Sequence, residues 1–374
     1  MPRKAVLLLV VAAFASAYVC LGESPSKESS LCVTTAEEQG LDSSVLSRGL
    51  SELASETKHL HSLLIARNGC LVVEAYWLPY NRERKHYLNS ATKAVLSALV
   101  GIAVHDHRLR EEGSVLSYLR KYRAANGDPL WRRITIRDLL TMSSGISWHQ
   151  SPPDNTSDEM GHSSDWVRFI LERPMAADPG KITNYSNGDS HLVSAVLQNA
   201  VDKTALEFAR GRLFAPLGIK DVAWDHDPQQ RSIGSAALQM RPADMSKIGF
   251  LYLQGGQFDG RRILEKEWVE RSLSEQGKMP AKGGPVAYGY YWWLYPERHV
   301  AEAWGGAGQR IGVIRDLNVV VVMTADDPGD YPRSPLAASI YDLIRASIKS
   351  SGRLPPNPAA ASELAHVLTR LTAR

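Results

Sequence analysis

His61-Ser62-Leu63-Leu64-Ile65-Ala66 and Cys70-Leu71-Val72-Val73-Glu74-Ala75-Tyr76-Trp77 are apolar, β-favouring runs on either side of Arg67-Asn68-Gly69. Asn-Gly between two such runs is the strongest short hairpin signal, because both residues tolerate the positive φ of a tight hairpin turn. The matching runs lie far down the chain. Residues 289–295, 310–315 and 319–324 read as strands, and 336–348 as a closing helix. Between the two ends the pattern turns helical. Residues 91–104 carry Ala94, Val95, Ala98, Leu99 and Ile102 at helical spacing and open at Ser90. Further helices are expected over 136–142, 190–201, 242–254 and 265–273. This order predicts an α+β fold: an antiparallel sheet built from both chain ends and flanked by helices, with a mostly helical lobe inserted over about residues 105–230.

The rest of the composition is that of an ordinary globular chain. It has 374 residues, 44% hydrophobic and 22% charged, which excludes disordered, collagen-like and multi-span membrane classes. With 43 basic against 40 acidic residues the formal charge is only +3, so there is no electrostatic footprint for nucleic acid. The front end differs. Arg3 and Lys4 precede an uncharged stretch centred on Leu7-Leu8-Leu9-Val10-Val11, followed by Ala15-Ser16-Ala17. That layout predicts a secretory signal peptide over residues 1–17, cleaved after Ala17, with an uncleaved membrane anchor as the alternative. A secreted or periplasmic location follows, with no stable membrane insertion after cleavage.

Residues 18–39 read as a leader linker and 40–350 as the folded domain. Residues 351–374 read as a Pro/Ala-rich tail in which Leu364, Val367, Leu368 and Leu371 make one helical stripe. In an oxidising compartment Cys32 and Cys70 are the expected disulfide pair, ahead of Cys20, with three unpaired thiols as the alternative. No Cys/His spacing suits a metal, His105-Asp106-His107 reads as a solvated turn, and no cofactor is expected. Asn155-Thr156-Ser157 and Asn184-Tyr185-Ser186 are glycosylation-type triplets read as chance matches.

Three short segments carry chemistry. In Ser90-Ala91-Thr92-Lys93 a hydroxyl at a helix start has a lysine three residues on, on the same face. The lysine can accept the serine proton only if burial or a cationic neighbour depresses its pKa well below ~10.4. A plain N-cap serine would also explain Ser90. In Tyr185-Ser186-Asn187 a loop tyrosine can shuttle a proton, or it is simply half-buried. In Trp304-Gly305-Gly306-Ala307-Gly308-Gln309, glycines beside a strand let a substrate lie against the backbone, or mark a bulge.

In this order the three segments resemble those of the serine β-lactamase and penicillin-binding-protein superfamily, in its class C-like branch. Leu139-Leu140-Thr141-Met142-Ser143-Ser144-Gly145-Ile146 is similar to that branch's Leu-Leu-Thr-His-Thr-Ser-Gly-Leu. The stretch from Arg241-Pro242-Ala243-Asp244-Met245 to Gly255-Gly256 and the pairs around Trp268 and Tyr288 match as well. The resemblance implies that Ser90 is acylated, that Lys93 and Tyr185 handle its proton, and that Asn187 orients the lysine and the substrate. It further implies an oxyanion hole made by the backbone N–H groups of Ser90 and Ala307. Whether Lys93 or Tyr185 takes the first proton stays open.

One position departs from the penicillin-recognising pattern of Lys-Thr-Gly. Trp304 stands in place of the lysine and Gly305 in place of the hydroxyl, a form that resembles the branch's esterases and aminohexanoate-oligomer hydrolases. The expected activity is hydrolysis of a small ester or amide through an acyl-enzyme. The alternatives are a β-lactamase or D,D-peptidase, with Arg310 supplying the missing cation, and an inactive binding protein of the same fold. Residues 148–164 form a polar, Pro-containing stretch that is either a lid over the cleft or a surface excursion. The oligomeric state is not legible.

Overall fold

The structure is a computed structural model and describes residues 31–122, 127–150 and 154–373. The proposed signal peptide lies outside the described residues. Nine strands form one sheet: β1 (Cys32–Val33), β2 (Leu60–Arg67), β3 (Cys70–Tyr76), β4 (Gly277–Met279), β5 (Val286–Tyr288), β6 (Trp293–Tyr295), β7 (Val300–Gly305), β8 (Gln309–Ile314) and β9 (Val319–Ala325). Their spatial order is β1-β3-β2-β9-β8-β7-β6-β5-β4, parallel only between β1 and β3. The chain's last long strand therefore pairs with its first, Val321 opposite Ile65, and closes the sheet from both ends. Both strands are buried throughout, and such strands read as continuous apolar runs.

Helices cover both faces. On one side lie α1 (Ser43–Glu52) and α6 (Pro335–Ser347); on the other lies α5 (Pro242–Leu253), with the central α2 (Thr92–His105) behind the site. Residues 92–103 of α2 are buried, which is why that segment is apolar nearly all round. The inserted lobe includes α3 (Thr156–His162) and α4 (Asn187–Val201). α7 (Pro358–Thr372) folds back onto α1 with Leu364, Val367 and Leu371 buried, so the C-terminal stripe is a packed element.

Several sequence expectations are corrected. Residues 31–39 are not linker: Cys32 pairs with Cys70 in the β1–β3 ladder, and Glu37 is buried, accepting from Ser43 N and Oγ. Of the strand expected over 289–295 only the last three residues form one, β6; β5 ends just before that span, where Gly289 passes Ser272 so closely that a Cβ would sit 2.0 Å from its carbonyl oxygen. Strand β7 was not anticipated, because Ala301, Glu302 and Ala303 give it no β-favouring pattern. The stretch 148–164 contains a helix, α3.

Cys32 and Cys70 are joined as a disulfide with a sequence separation of 38. Closing a loop of that size is worth about 3–4 kcal/mol in the chain-entropy model. Reduction, or replacement of both cysteines by serine, is expected to lower the unfolding free energy by roughly that amount in denaturant titrations. A loss under about 0.5 kcal/mol would show that the sheet edge holds without the bond.

Candidate active site

Ser90 sits in a tight 3-10 turn, Asn89–Ala91, that runs straight into α2. Ala91 holds the N-cap position and no side chain caps the helix, so Ser90 is not there as a capping residue. Its hydroxyl faces the lysine one turn on. Lys93 Nζ lies 2.9 Å from Ser90 Oγ, 2.9 Å from Asn187 Oδ1 and 2.8 Å from Ser235 O. The amine also sits 4.9 Å from the centre of the Tyr185 ring. Lys93 is 1% exposed.

Tyr185 is placed by an unusual turn before it. Met142 adopts a left-handed φ of 57° and accepts from Asn184 N at its carbonyl and from Ser186 N at its sulfur. Ser186 then N-caps α4 by accepting from Asp189 N, so Asn187 is the first residue of that helix rather than a loop residue. Helix α4 thus starts three residues before the sequence pattern indicates. Asn187 Nδ2 donates to Ser157 Oγ of α3.

The third segment reaches Ser90 through the end of β7. A Cβ on Gly305 would lie 2.1 Å from Leu88 O and 3.0 Å from Ser90 N, so only glycine lets the strand come this near the Ser90 backbone. Asn89 Nδ2 donates to Gly306 O at 2.7 Å, which fixes the Gly306–Ala307 peptide and hence the direction of the Ala307 N–H. Ala307 itself is left-handed, with φ 63°. β6 pairs with β7 only as far as Glu302, leaving the strand edge beyond it open toward the cleft. An aromatic row lines that side: Tyr185 stacks on Trp293 at 5.9 Å, and Trp293 meets Trp304 edge-on at 5.7 Å.

The structure therefore brings together Ser90, Lys93, Tyr185, Asn187 and the 304–307 segment. Asn89, the Ser235 carbonyl and Trp293 were not singled out from sequence, and Ser157 only as part of a glycosylation-type triplet within the polar stretch 148–164; Trp293 belongs to the aromatic run 290–293. Arg310 does not serve as a replacement cation. It is 2% exposed and ion-paired with Glu302 at 2.6 Å and Asp330 at 2.5 Å.

Burial pushes the Lys93 amine well below its usual range, because the charged form loses its hydration. Burial pushes the Tyr185 phenol the other way, above its usual value, with the neighbouring Ser90 hydroxyl opposing it only in part. A neutral amine has two N–H donors and one lone pair. The donors suit Asn187 Oδ1 and Ser235 O, and the lone pair is left for the Ser90 hydroxyl. Such a pair can deprotonate Ser90 while the phenol stays protonated and able to donate.

The Beta-lactamase family model matches residues 56–344. The chain belongs to the Beta-lactamase family. Among curated relatives it is 26% identical to lovastatin esterase of Penicillium rubens over 188 residues, 46% of this chain and 47% of that protein. It is 18% identical to 6-aminohexanoate-dimer hydrolase of Paenarthrobacter ureafaciens over 274 residues, 69% of this chain and 67% of the relative. The match thus spans about half the length of the esterase. The solved structure of EstCE1, a hydrolase with promiscuous acyltransferase activity, superposes with a TM-score of 0.68 at 16% identity, covering 80% of this chain and 98% of that one.

The depressed Lys93 pKa has a signed consequence for stability. Between the native value and the usual lysine value, the unfolded chain binds a proton that the folded chain does not, so stability rises with pH across that interval. Lys93→Met removes this dependence. The wild type is expected to gain stability relative to the variant by up to about 1.4 kcal/mol per pH unit, measured by denaturant unfolding from pH 7 to 9.5. A flat difference would mean that Lys93 is charged in the folded protein.

Proposed function

We propose that this protein is a serine hydrolase that cleaves small neutral esters, and more slowly related amides, through an acyl-enzyme on Ser90. The observation that carries the reading is the buried Lys93 amine 2.9 Å from Ser90 Oγ. Lys93 takes the hydroxyl proton as Ser90 Oγ attacks the substrate carbonyl. The Ser90 and Ala307 N–H groups receive the oxyanion as it forms. Tyr185 gives its proton to the departing alkoxide and recovers one from Lys93, and Asn187 holds the lysine in register. Water then attacks the acyl carbon, and the same groups return the proton to Ser90. Lys93 is the first acceptor in this scheme because burial drives the amine toward its neutral form and the phenol away from its anionic one.

Trp304 supports the preference for neutral substrates. A carboxylate there meets an indole instead of an ammonium and forfeits a charge-assisted contact worth about 1.5–3 kcal/mol. That corresponds to roughly 10–150-fold in binding. An uncharged acyl chain instead gains apolar contact with the ring at roughly 25 cal/mol per Å² buried. The names of the two curated relatives, an esterase and an amide hydrolase, agree with this substrate class. The Cys32–Cys70 disulfide agrees with export to an oxidising compartment.

The test is a turnover panel. Short-chain nitrophenyl esters are expected to show at least tenfold higher kcat/KM than a chromogenic cephalosporin, and a fluorophosphonate should add to Ser90 by mass spectrometry. A higher kcat/KM on the cephalosporin would defeat the substrate reading. An unlabelled Ser90 would point to a binding protein without turnover.

A further inference from the structure

The indole that replaces the expected lysine is not free to turn. Trp304 Nε1–H donates to Asp330 Oδ2 at 2.6 Å, across the loop that joins β9 to α6. Asp330 is itself held: its Oδ1 accepts from Arg310 Nη2 at 2.5 Å, and its side chain is 3% exposed. Arg310 also donates to Glu302 Oε2 at 2.6 Å and to Tyr331 O at 2.7 Å. Glu302 accepts from Tyr341 of α6, which comes close because Gly312 leaves room for its hydroxyl. The strand register explains the alignment. Trp304 lies opposite Arg310, and Glu302 opposite Gly312, so the residues share one face of the β7–β8 pair.

We propose that Asp330, anchored by Arg310, is a positioning residue that clamps the Trp304 indole in one orientation and thereby sets which acyl groups the cleft accepts. The inference rests on the ester reading above and names the device that gives it selectivity. An indole has a single donor, and pointing it at Asp330 orients the ring edge-on to Trp293, which in turn stacks on Tyr185. A ring held so fixes the depth of the aromatic side of the cleft. A released ring can rotate aside, opening that side to longer chains while losing its contact with short ones.

Two readouts test this on the full chain. In the first, the indole N–H resonance of Trp304, assigned by its absence in Trp304→Phe, should shift upfield and broaden in Asp330→Ala. In the second, the nitrophenyl ester series from acetate to octanoate is compared between wild type and Asp330→Ala. KM for butyrate should rise five- to twentyfold with kcat falling less than threefold, and the preferred acyl chain should lengthen by two carbons or more. Adding Asp330→Ala to Trp304→Phe should change the profile little further, because the clamp is already gone.

Removal of Asp330 leaves Arg310 with one carboxylate fewer, so Asp330→Asn serves where the alanine variant does not fold. It keeps an oxygen acceptor for one neighbour only and should give an intermediate profile. An unmoved resonance, or a uniform fall in kcat with the chain-length profile unchanged, would overturn the clamp while leaving the ester reading intact. A wild type that turns over no neutral ester would overturn the ester reading and the selectivity built on it.

Discussion

An amine taken out of water resists carrying charge, and Lys93 is out of water. Its surroundings are organised around that fact. Helix α2 is buried on all sides and delivers Nζ beneath the serine; α4 begins at Asn187 and presents Oδ1; the loop after the helical lobe turns back to present the Ser235 carbonyl. Gly234 permits the last approach, since a Cβ there would lie 2.1 Å from Ser190 O. The folded protein thus tolerates a costly buried lysine with three polar neighbours, and the depressed pKa is the chemical property gained. The same dryness holds Tyr185 protonated, so one desolvated cleft sets the base and the acid apart without a neighbouring charge.

Placement of the Ser90 and Ala307 N–H groups, the proposed oxyanion donors, depends on a different constraint, the close passage of β7 past the Ser90 turn. Two residues with left-handed φ, Asn89 at 46° and Ala307 at 63°, lie on either side of that contact. Non-glycine residues hold such angles only where the surroundings over-determine them. Here the Asn89 amide bonds Gly306 O, while Asp327 N and Gln309 Nε2 bond Ala307 O. The peptides before and after the Ala307 Cα are thus each held by a hydrogen bond to a carbonyl oxygen. Local strain is in this way exchanged for a fixed N–H direction, as transition-state stabilisation by backbone dipoles requires.

The sheet was legible in the sequence where strands are apolar throughout, as in β2 and β9, because burial on both faces leaves a continuous signal. It was illegible in β7, where Glu302 lies in the middle of a strand and is 0% exposed. A buried glutamate becomes reasonable only once Arg310 and Tyr341 are seen beside it, and those partners are 8 and 39 residues away. The chemistry-bearing residues followed the opposite rule. Ser90 and Lys93 share one helix turn, so their spacing alone predicts that they meet. Ser235 and Asn89 act through a carbonyl or a single amide bond to a distant loop, and nothing in their neighbours' identity marks them. Residues 31–39 read as linker because they are polar, yet the disulfide and the buried Glu37 bind them to the sheet and to α1.

The fate of Arg310 explains why its proximity to the third motif does not restore a carboxylate site. A guanidinium beside the cleft could meet an anion only by leaving two carboxylates, Glu302 and Asp330, buried at 0% and 3% exposure. Burial alone works against the charge of Arg310, but those two partners outweigh it and hold its pKa above the usual value. Burial raises the Glu302 carboxyl despite Arg310 and Tyr341, so that glutamate would be still harder to keep ionised without its partner. Separating a buried pair costs about 3–5 kcal/mol, more than the roughly 1.5–3 kcal/mol an arginine–carboxylate contact in the cleft would return. The cation therefore stays committed to the sheet face. What reaches the cleft from this network is the indole that Asp330 holds, and an indole favours an uncharged acyl group.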